Sequence, residues 1–133
     1  MKTKPDVIIV DDDPLMNELI EGFLEQSDLV VATCIDPRMA LEMIVEHKPK
    51  IVFIDLNMPH IRGDKLMVKL SEKYIFQTTS LFLITGEVLD EMTKKQLMTL
   101  GFDHIIHKPF TAKEIFQAIT SVIGVIPVKQ KAA

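Results

Sequence analysis

The sequence predicts an α/β fold in which a parallel sheet lies between two layers of helices. Five short apolar runs, at residues 7–10, 29–32, 51–54, 81–84 and 105–106, are typical of strands buried on both faces. Segments with helical periodicity alternate with these runs, and the connecting loops are short. Strands separated by helices pair in parallel through right-handed crossovers. We therefore expect a (βα)5 arrangement, a three-layer α/β sandwich.

The composition favours a globular protein with one core. The chain has 133 residues, of which 47% are hydrophobic and 26% charged. The formal net charge of −4 and the scattered basic residues argue against a nucleic-acid-binding surface. The single cysteine, Cys34, excludes an internal disulfide. We see no signal peptide and no apolar run near the roughly 20 residues that span a bilayer. The expected location is the cytoplasm, without membrane insertion.

The first strand is predicted at residues 7–10, and the first helix begins just after it. Asp13 fits the N-cap position and Pro14 fits the first helical position. Apolar residues at 3.6-residue spacing predict one buried stripe on this helix. The predicted stripe consists of Leu15, Met16, Leu19, Ile20, Phe23 and Leu24.

The second strand is predicted at residues 29–32. Asp36 and Pro37 repeat the start signal of a cap followed by proline. Pro49 ends the second helix, because proline disfavours helical conformation in the residue before it. The expected buried residues of this helix are Ala40, Leu41, Ile44 and Val45.

The third strand, at residues 51–54, runs directly into the carboxylate of Asp55. A carboxylate at the end of a buried strand is costly unless the site requires it. Gly63 is predicted to lie in the loop that follows. The third helix then contributes three residues to the core, Leu66, Met67 and Leu70.

The last two strands are predicted at residues 81–84 and 105–106. The fourth helix covers about residues 90–100 and ends before Gly101, a usual residue after a helix end. Thr111 and Glu114 form a capping box that starts the fifth helix. Its predicted buried residues are Ile115, Phe116, Ile119, Val122 and Ile123. We expect one domain over residues 1–124 and a loose tail over residues 125–133.

Chemically active side chains follow four of the five strands. Asp11 and Asp12 follow the first, Asp55 ends the third, Thr85 ends the fourth and Lys108 follows the fifth. The carboxyl ends of parallel strands lie at one edge of the sheet. We expect these groups to meet there if the first, third, fourth and fifth strands are neighbours.

Such a cluster would suit phosphoryl transfer. Three carboxylates repel one another, and a hard divalent cation with oxygen ligands, such as Mg²⁺, relieves the repulsion. Lys108 and the Thr85 hydroxyl can bind an anion beside the metal. A carboxylate placed among these groups can serve as the nucleophile for a phosphoryl group. Asp55 is the candidate nucleophile.

At these spacings the motifs resemble the receiver domain of response regulators in two-component signalling. They are Asp11-Asp12 after a valine, the run from Ile54 to Pro59, Thr85-Gly86 and Lys108-Pro109-Phe110. Gly63, eight residues after Asp55, also matches the family. The resemblance covers about residues 5–124. Each motif alone is weakly specific, but the five in order are highly specific.

The resemblance implies a flavodoxin-like, doubly wound sheet with strand order 2-1-3-4-5. It implies that Asp55 accepts a phosphoryl group from a phosphohistidine of a sensor histidine kinase or histidine phosphotransfer protein. Asp12 and Asp55 would bind Mg²⁺ by their side chains, Asp11 mostly through water and Asn57 through its carbonyl. Thr85 and Lys108 would contact the phosphoryl oxygens. The bond between Lys108 and Pro109 is expected to be cis.

The output is expected to be a protein contact. The chain shows no DNA-binding output domain, so signalling is expected through the surface of helix 4, strand 5 and helix 5. The downstream target is unknown, and a monomer or weak dimer is expected. Beyond transfer onto and off Asp55, no enzymatic activity is expected. Ile105 occupies a position where the family commonly has tyrosine or phenylalanine. We therefore expect read-out through the loop after Thr85 and the surface of helix 4.

Three alternatives remain open. The chain could be a docking module that works without phosphorylation, or a receiver fragment of a longer regulator or hybrid kinase. An enzyme on the same architecture is disfavoured, because no glycine-rich loop follows the first strand and no Ser-His-Asp set is evident. Three of the histidines, His60, His104 and His107, are expected at the surface.

Overall fold

Five parallel strands form a single sheet in the order β2-β1-β3-β4-β5. The computed structural model describes residues 4–129. The strands are β1 (Val7–Val10), β2 (Val31–Cys34), β3 (Ile51–Asp55), β4 (Ser80–Thr85) and β5 (His104–His107). The helices are α1 (Pro14–Phe23), α2 (Ala40–His47), α3 (Gly63–Ser71), α4 (Glu91–Leu100) and α5 (Ala112–Ile123). This architecture confirms the predicted fold and strand order.

Two apolar cores lie on opposite faces of the sheet. Successive strand residues point to alternate faces, so Ile8 and Val10 enter one core whereas Val7 and Ile9 enter the other. Helices α2, α3 and α4 cover the first core, and α1 and α5 cover the second. All five residues of β3 are buried. The three-layer arrangement explains why the central strand β1 and residues 51–54 of β3 are apolar without interruption.

Helix α1 begins where it was predicted but faces the core differently. Asp13 caps it, since its side chain accepts a hydrogen bond from the backbone N–H of Leu15 at 3.0 Å. Leu15 is 72% exposed and Leu19 42% exposed, so the prediction that both belong to the buried stripe is wrong. The buried stripe is Asn17, Ile20 and Leu24, which follows i, i+3, i+7 spacing.

Strand β2 starts two residues later than predicted. Its register is set by β1, with Val7 opposite Val31 and Val10 opposite Cys34. The Asp6 carboxylate accepts a hydrogen bond from the Val30 N–H at 2.8 Å just before the strand begins. Leu29, assigned to the strand from sequence, is buried against the second core instead. Pairing with a neighbouring strand decided this boundary, which the apolar run alone did not show.

Smaller differences concern helix ends and faces. Asp36 caps a 3₁₀ turn, Pro37–Met39, that precedes α2. Gly63 is the first residue of α3 and does not lie in the loop. In α5, Ala118 is buried and Val122 is 37% exposed. The capping box of Thr111 and Glu114 and the end of α4 at Gly101 are confirmed.

The segment after α5 is held against the body of the domain over residues 125–129. The Asp28 N–H donates to the Pro127 carbonyl at 2.7 Å, and the Lys129 N–H donates to the Gln26 carbonyl at 2.9 Å. Ile126 packs against the core beneath α1 and α5. The expected loose tail is thus wrong for these residues, and residues 130–133 lie outside the described part of the chain.

Within residues 4–129, none of the helices combines the length and apolar character needed to cross a bilayer.

We expect Ile126→Ala to lower the free energy of unfolding by about 1–2 kcal/mol, because a half-buried side chain loses its core contacts. Val125→Ala is the matched control: Val125 is 83% exposed and its loss should change stability by less than about 0.5 kcal/mol. Urea unfolding followed by circular dichroism measures both. Equal effects of the two variants would show that the segment does not stabilise the fold.

Candidate functional site

The sheet order brings the predicted site residues together at one edge. β1, β3, β4 and β5 are consecutive neighbours within the sheet. Asp11, Asp12 and Asp55 each offer a carboxylate oxygen, and these oxygens lie within 4.8 Å of one another. The Lys108 Nζ lies 3.1 Å from Asp55 Oδ1 and 3.6 Å from Asp11 Oδ2. The predicted acidic cluster with its lysine is therefore present in the structure.

Two of the three carboxylates are withdrawn from solvent. Asp11 is 2% exposed and Asp55 is 5% exposed, whereas Asp12 is exposed. Asp55 ends the fully buried strand β3, so its carboxylate leaves the sheet directly from the core. Removing a charged group from water is unfavourable unless partners compensate. Lys108 is the compensating cation, since it donates a hydrogen bond to Asp55 at 3.1 Å.

Asp11 is held by its neighbours, yet one of its carboxylate oxygens has no hydrogen-bond partner among the described residues. Its Oδ1 accepts a hydrogen bond from the Asp13 N–H at 2.9 Å. Its backbone N–H donates to the Cys34 carbonyl at 3.2 Å. Asp11 Oδ2 is buried and has no hydrogen-bond partner among the described residues. A buried oxygen of this kind is a ready ligand for a cation.

The electrostatics of the site follow from burial and from the crowding of charges. Burial, together with the charges of Asp55 and Asp12, raises the pKa of Asp11 to about 6. Burial also raises the pKa of Asp55, although the hydrogen bond from Lys108 opposes the shift. For Lys108, burial opposes protonation, but its contacts with Asp55 and Asp11 still raise its pKa. Lys108 is therefore a permanent cation beside carboxylates that resist losing their protons.

Thr85 is fully buried at the end of β4. Its Oγ1 accepts a hydrogen bond from the Glu87 N–H at 3.0 Å. Its carbonyl accepts from the backbone N–H of Lys108 at 2.8 Å, which ties β4 to the loop that carries the lysine. A hydroxyl that accepts one hydrogen bond still has its O–H to donate. The bond between Lys108 and Pro109 is cis, as expected.

Asn57 lies in the exposed part of the loop after β3. Its side-chain oxygen accepts a hydrogen bond from Arg62 Nη1 at 3.0 Å. Arg62 also contacts Asp64 through its Nε at 3.3 Å. This contact of Arg62 was not predicted from the sequence. The signal available was its place one residue before the matched glycine, which is too weak to assign a contact.

Gly63 is required by close packing next to the acceptor candidate. A Cβ added at this position would lie 2.5 Å from the backbone oxygen of Asp55. The Gly63 N–H donates to the Leu56 carbonyl at 2.9 Å, which closes the loop between β3 and α3. Real Cβ atoms do not approach a carbonyl oxygen this closely, so a larger residue would displace the end of β3.

Asn17 is the other residue near the site that was not predicted from the sequence. It is 3% exposed, and its Nδ2 donates to the backbone carbonyl of Asp11 at 2.9 Å. The available signal was a polar residue at helical spacing from Ile20 and Leu24, on the same helix face. Leu15 and Leu19 lie on the opposite face, and their hydrophobicity led to the prediction that their face is the buried one.

The donor set fits a hard divalent cation. All three acidic residues offer oxygen, and Asp11 has a buried oxygen with no hydrogen-bond partner in the described chain. Oxygen-only ligands, with positions left for water and phosphate oxygens, suit Mg²⁺. The cluster could therefore bind a metal, and its residues match this ion better than a softer one.

Comparison with known proteins agrees with this geometry. A family model described as the response regulator receiver domain matches residues 7–120. The chain belongs to this family. Receiver domains are signalling domains, distinct from ordinary enzymes, and they pair with histidine kinases or phosphotransfer proteins.

Individual relatives show the same relationship. Protein PilG of Pseudomonas aeruginosa is 27% identical over 114 residues, which cover 85% of this chain and 83% of PilG. Hybrid signal transduction histidine kinase D of Dictyostelium discoideum is 28% identical over 127 residues, 96% of this chain but 8% of the kinase. The structure of Vibrio cholerae chemotaxis protein CheY4 superposes with a TM-score of 0.80 at 21% identity, covering 90% of this chain and 99% of that one.

The receiver domain is a small part of some longer relatives. The chain spans 8%, 47% and 12% of three curated proteins that it matches. The likeness to solved structures is a likeness of fold.

We expect Asp11→Asn to raise stability by about 1–3 kcal/mol at pH 8 without divalent ions, because it removes a buried charge. The folded pKa of Asp11, about 6, lies above the ordinary value of 3.8. As the pH rises, the unfolded chain therefore loses this proton first, and folding becomes less favourable between about pH 4 and 6. The stability gained by Asp11→Asn should be constant above that range. It should vanish at pH 3, where residue 11 is neutral in wild type and variant alike.

Urea unfolding of wild type and variant at several pH values measures this difference. Asp12→Asn is the control, since the exposed Asp12 carries little burial cost. A less stable Asp11→Asn at pH 8 would contradict the account of the site.

Proposed function

We propose that this receiver domain accepts a phosphoryl group on Asp55 from a phosphohistidine, with Mg²⁺ bound at the acidic cluster. The observation that carries the proposal is the Asp55 carboxylate, which leaves the core at the end of β3 and is hydrogen bonded to Lys108 at 3.1 Å. Two further carboxylates lie beside it, and the buried Thr85 ends the neighbouring strand β4. These are the parts that phosphoryl transfer needs for positioning and charge stabilisation.

In the proposed reaction, an Asp55 carboxylate oxygen attacks the phosphorus of the phosphohistidine. The new oxygen–phosphorus bond forms while the phosphorus–nitrogen bond breaks, and its electron pair stays with the ring nitrogen. A ring that is protonated on its other nitrogen leaves as neutral imidazole. Water later attacks the phosphorus of the aspartyl phosphate, which restores the carboxylate and releases inorganic phosphate.

The other residues of the site have distinct proposed roles. The Lys108 ammonium, which hydrogen bonds to Asp55, would also contact the incoming phosphoryl oxygens and offset their negative charge. The Thr85 O–H donates to another of these oxygens. The backbone N–H of Lys108 donates a hydrogen bond to the Thr85 carbonyl at 2.8 Å. We therefore expect the backbone segments that carry these two side chains to move together.

Mg²⁺ is proposed to bind the side chains of Asp12 and Asp55, Asp11 mostly through water, and the carbonyl of Asn57. The bound ion supplies positive charge that lowers the repulsion between the carboxylates and an incoming phosphate. The buried Asp11 Oδ2, which has no hydrogen-bond partner among the described residues, supports this assignment.

The proposed output is a protein contact on the surface of α4, β5 and α5. Ile105 in β5 is half-buried and packs against the core on the side of α3 and α4. It carries no hydroxyl and no ring, so we place the read-out in the loop after Thr85 and on α4. Val88 is 100% exposed, Met92 71% and Met98 44%, and apolar side chains of this kind suit an adaptable partner surface.

The division into a receiver over residues 1–124 and a following segment is part of the proposal. So are the partners: a sensor histidine kinase or histidine phosphotransfer protein as donor, and a downstream protein as target. A monomer or weak dimer is proposed.

Asp55→Asn should abolish phosphorylation by acetyl phosphate and Mg²⁺, because the amide is a poor nucleophile. Phosphate-affinity gel mobility measures the product, and EDTA should remove the signal from wild type. Asp13→Asn is the matched control: asparagine keeps the helix cap and leaves the cluster intact. Labelling that persists in Asp55→Asn would place the acceptor elsewhere. Absence of labelling in folded wild type would favour a docking module that works without phosphorylation.

A beryllofluoride and Mg²⁺ complex, which mimics the phosphoryl group, should shift backbone amides well beyond the site. We expect shifts in residues 86–100 and in β5, because Thr85 and Lys108 anchor these segments. Amides of α2 serve as the reference, since α2 follows β2, the edge strand farthest from β5 in the sheet. Nitrogen–proton correlation spectra measure the pattern. Shifts confined to the acidic cluster would contradict read-out through α4.

A further inference from the structure

Asn17 is a polar residue where packing alone would favour an apolar one. It is 3% exposed and shares the buried face of α1 with Ile20 and Leu24. Leu15 and Leu19, on the opposite face, are 72% and 42% exposed. Burying an amide while leucines remain in solvent runs against the hydrophobic effect. The position of Asn17 therefore needs a reason other than core packing.

The side-chain amide of Asn17 makes one hydrogen bond within the described chain. Its Nδ2 donates to the backbone carbonyl of Asp11 at 2.9 Å. Its Oδ1 is buried and has no partner among residues 4–129. A buried acceptor without a partner makes folding less favourable. The bond to Asp11 is thus the contribution that distinguishes Asn17 from a leucine of similar size.

That bond completes the restraint of Asp11. The N–H of Asp11 is held by the Cys34 carbonyl at 3.2 Å, and its C=O is held by Asn17. Its carboxylate is held through Oδ1 by the Asp13 N–H at 2.9 Å. Backbone and side chain are therefore restrained on both sides of the Cα atom. The remaining oxygen, Oδ2, lies towards Lys108 at 3.6 Å.

We propose that Asn17 is a positioning residue for the metal site: it holds the Asp11 backbone so that the Asp11 carboxylate faces the cluster. This inference rests on the proposed function, because it assigns Asn17 a role in Mg²⁺ binding. Asn17 does not touch the ion or the phosphoryl group; it acts through Asp11. Residues that orient metal ligands typically change metal affinity by 10–100-fold when they are replaced.

The test compares Asn17→Leu and Asn17→Ala with wild type in the full chain, without any phosphoryl donor. Calorimetric titration with MgCl₂ gives the affinity, and we expect it to fall by about tenfold in both variants. Hydrogen exchange of the Asp13 amide without Mg²⁺ gives a second readout. It should become faster, because that amide donates to the carboxylate that Asn17 holds in place.

Ile20→Ala is the control for a weakened helix. Ile20 is fully buried on α1 and lies in the core beneath α1 and α5. The Ile20→Ala substitution should lower the melting temperature while leaving the Mg²⁺ affinity within about twofold of the wild-type value. Unchanged Mg²⁺ affinity in the Asn17 variants would overturn the inference. Equal loss of affinity in Ile20→Ala would also overturn it, since any loosening of α1 would then suffice.

The proposed function and this inference fail separately. Wild type that takes no phosphoryl group on Asp55 would refute the function, whereas the inference is decided by Mg²⁺ affinity and exchange alone. If Asn17→Leu does not fold, Asn17→Ala, which adds no bulk, decides the matter on the same two measurements.

Discussion

The burial of two carboxylates beside one ammonium is the constraint on which the site depends. Asp11 and Asp55 are nearly inaccessible to solvent, and Lys108 hydrogen bonds to Asp55 but reaches only to 3.6 Å from Asp11. One cation cannot neutralise both acids. Burial therefore outweighs the effect of Lys108, and the pKa of each acid is raised. An additional cation is the natural way to complete such a site. The chemistry proposed for the receiver domain follows from this imbalance of charge.

The sheet and its loops exist in the form that this constraint requires. Strand β3 lies between β1 and β4, so Asp55 emerges between the residues that follow those strands. The carbonyl of Thr85 is bonded to the N–H of Lys108, and Gly63 allows the loop after β3 to pass close to the Asp55 backbone. Each of these features fixes the position of the backbone that carries a site residue. Fixed backbones allow the charged groups to be arranged before a ligand arrives.

Helix α1 buries an asparagine and leaves two leucines exposed, which is opposite to what packing alone would favour. Its cap at Asp13 and its proline start direct the helix from the end of β1. With that start, the sheet-facing positions are 17, 20 and 24, and the first of them is an asparagine bonded to Asp11. The two leucines that hydrophobicity alone would bury are left at the surface. Local disagreement between pattern and structure is expected at functional sites.

The sequence by itself determined the order of the strands and main helices along the chain and the candidate residues of the site. Apolar runs, proline starts and the capping box at Thr111 are local signals, so they could be identified without knowledge of the fold. The convergence of Asp11, Asp12, Asp55, Thr85 and Lys108 could also be predicted, because the carboxyl ends of parallel strands meet at one edge.

Only the tertiary structure decided the rest. The start of β2 depends on its register with β1, and the buried face of α1 depends on how the helix leaves that strand. The docking of residues 125–129 requires partners near residue 27, about a hundred positions away in the chain. The hydrogen bond of Asn17 to the Asp11 backbone and that of Arg62 to the exposed Asn57 side chain leave no periodic pattern in the sequence. Periodicity reports which residues avoid water, whereas these features depend on which partners the folded chain brings within hydrogen-bonding distance.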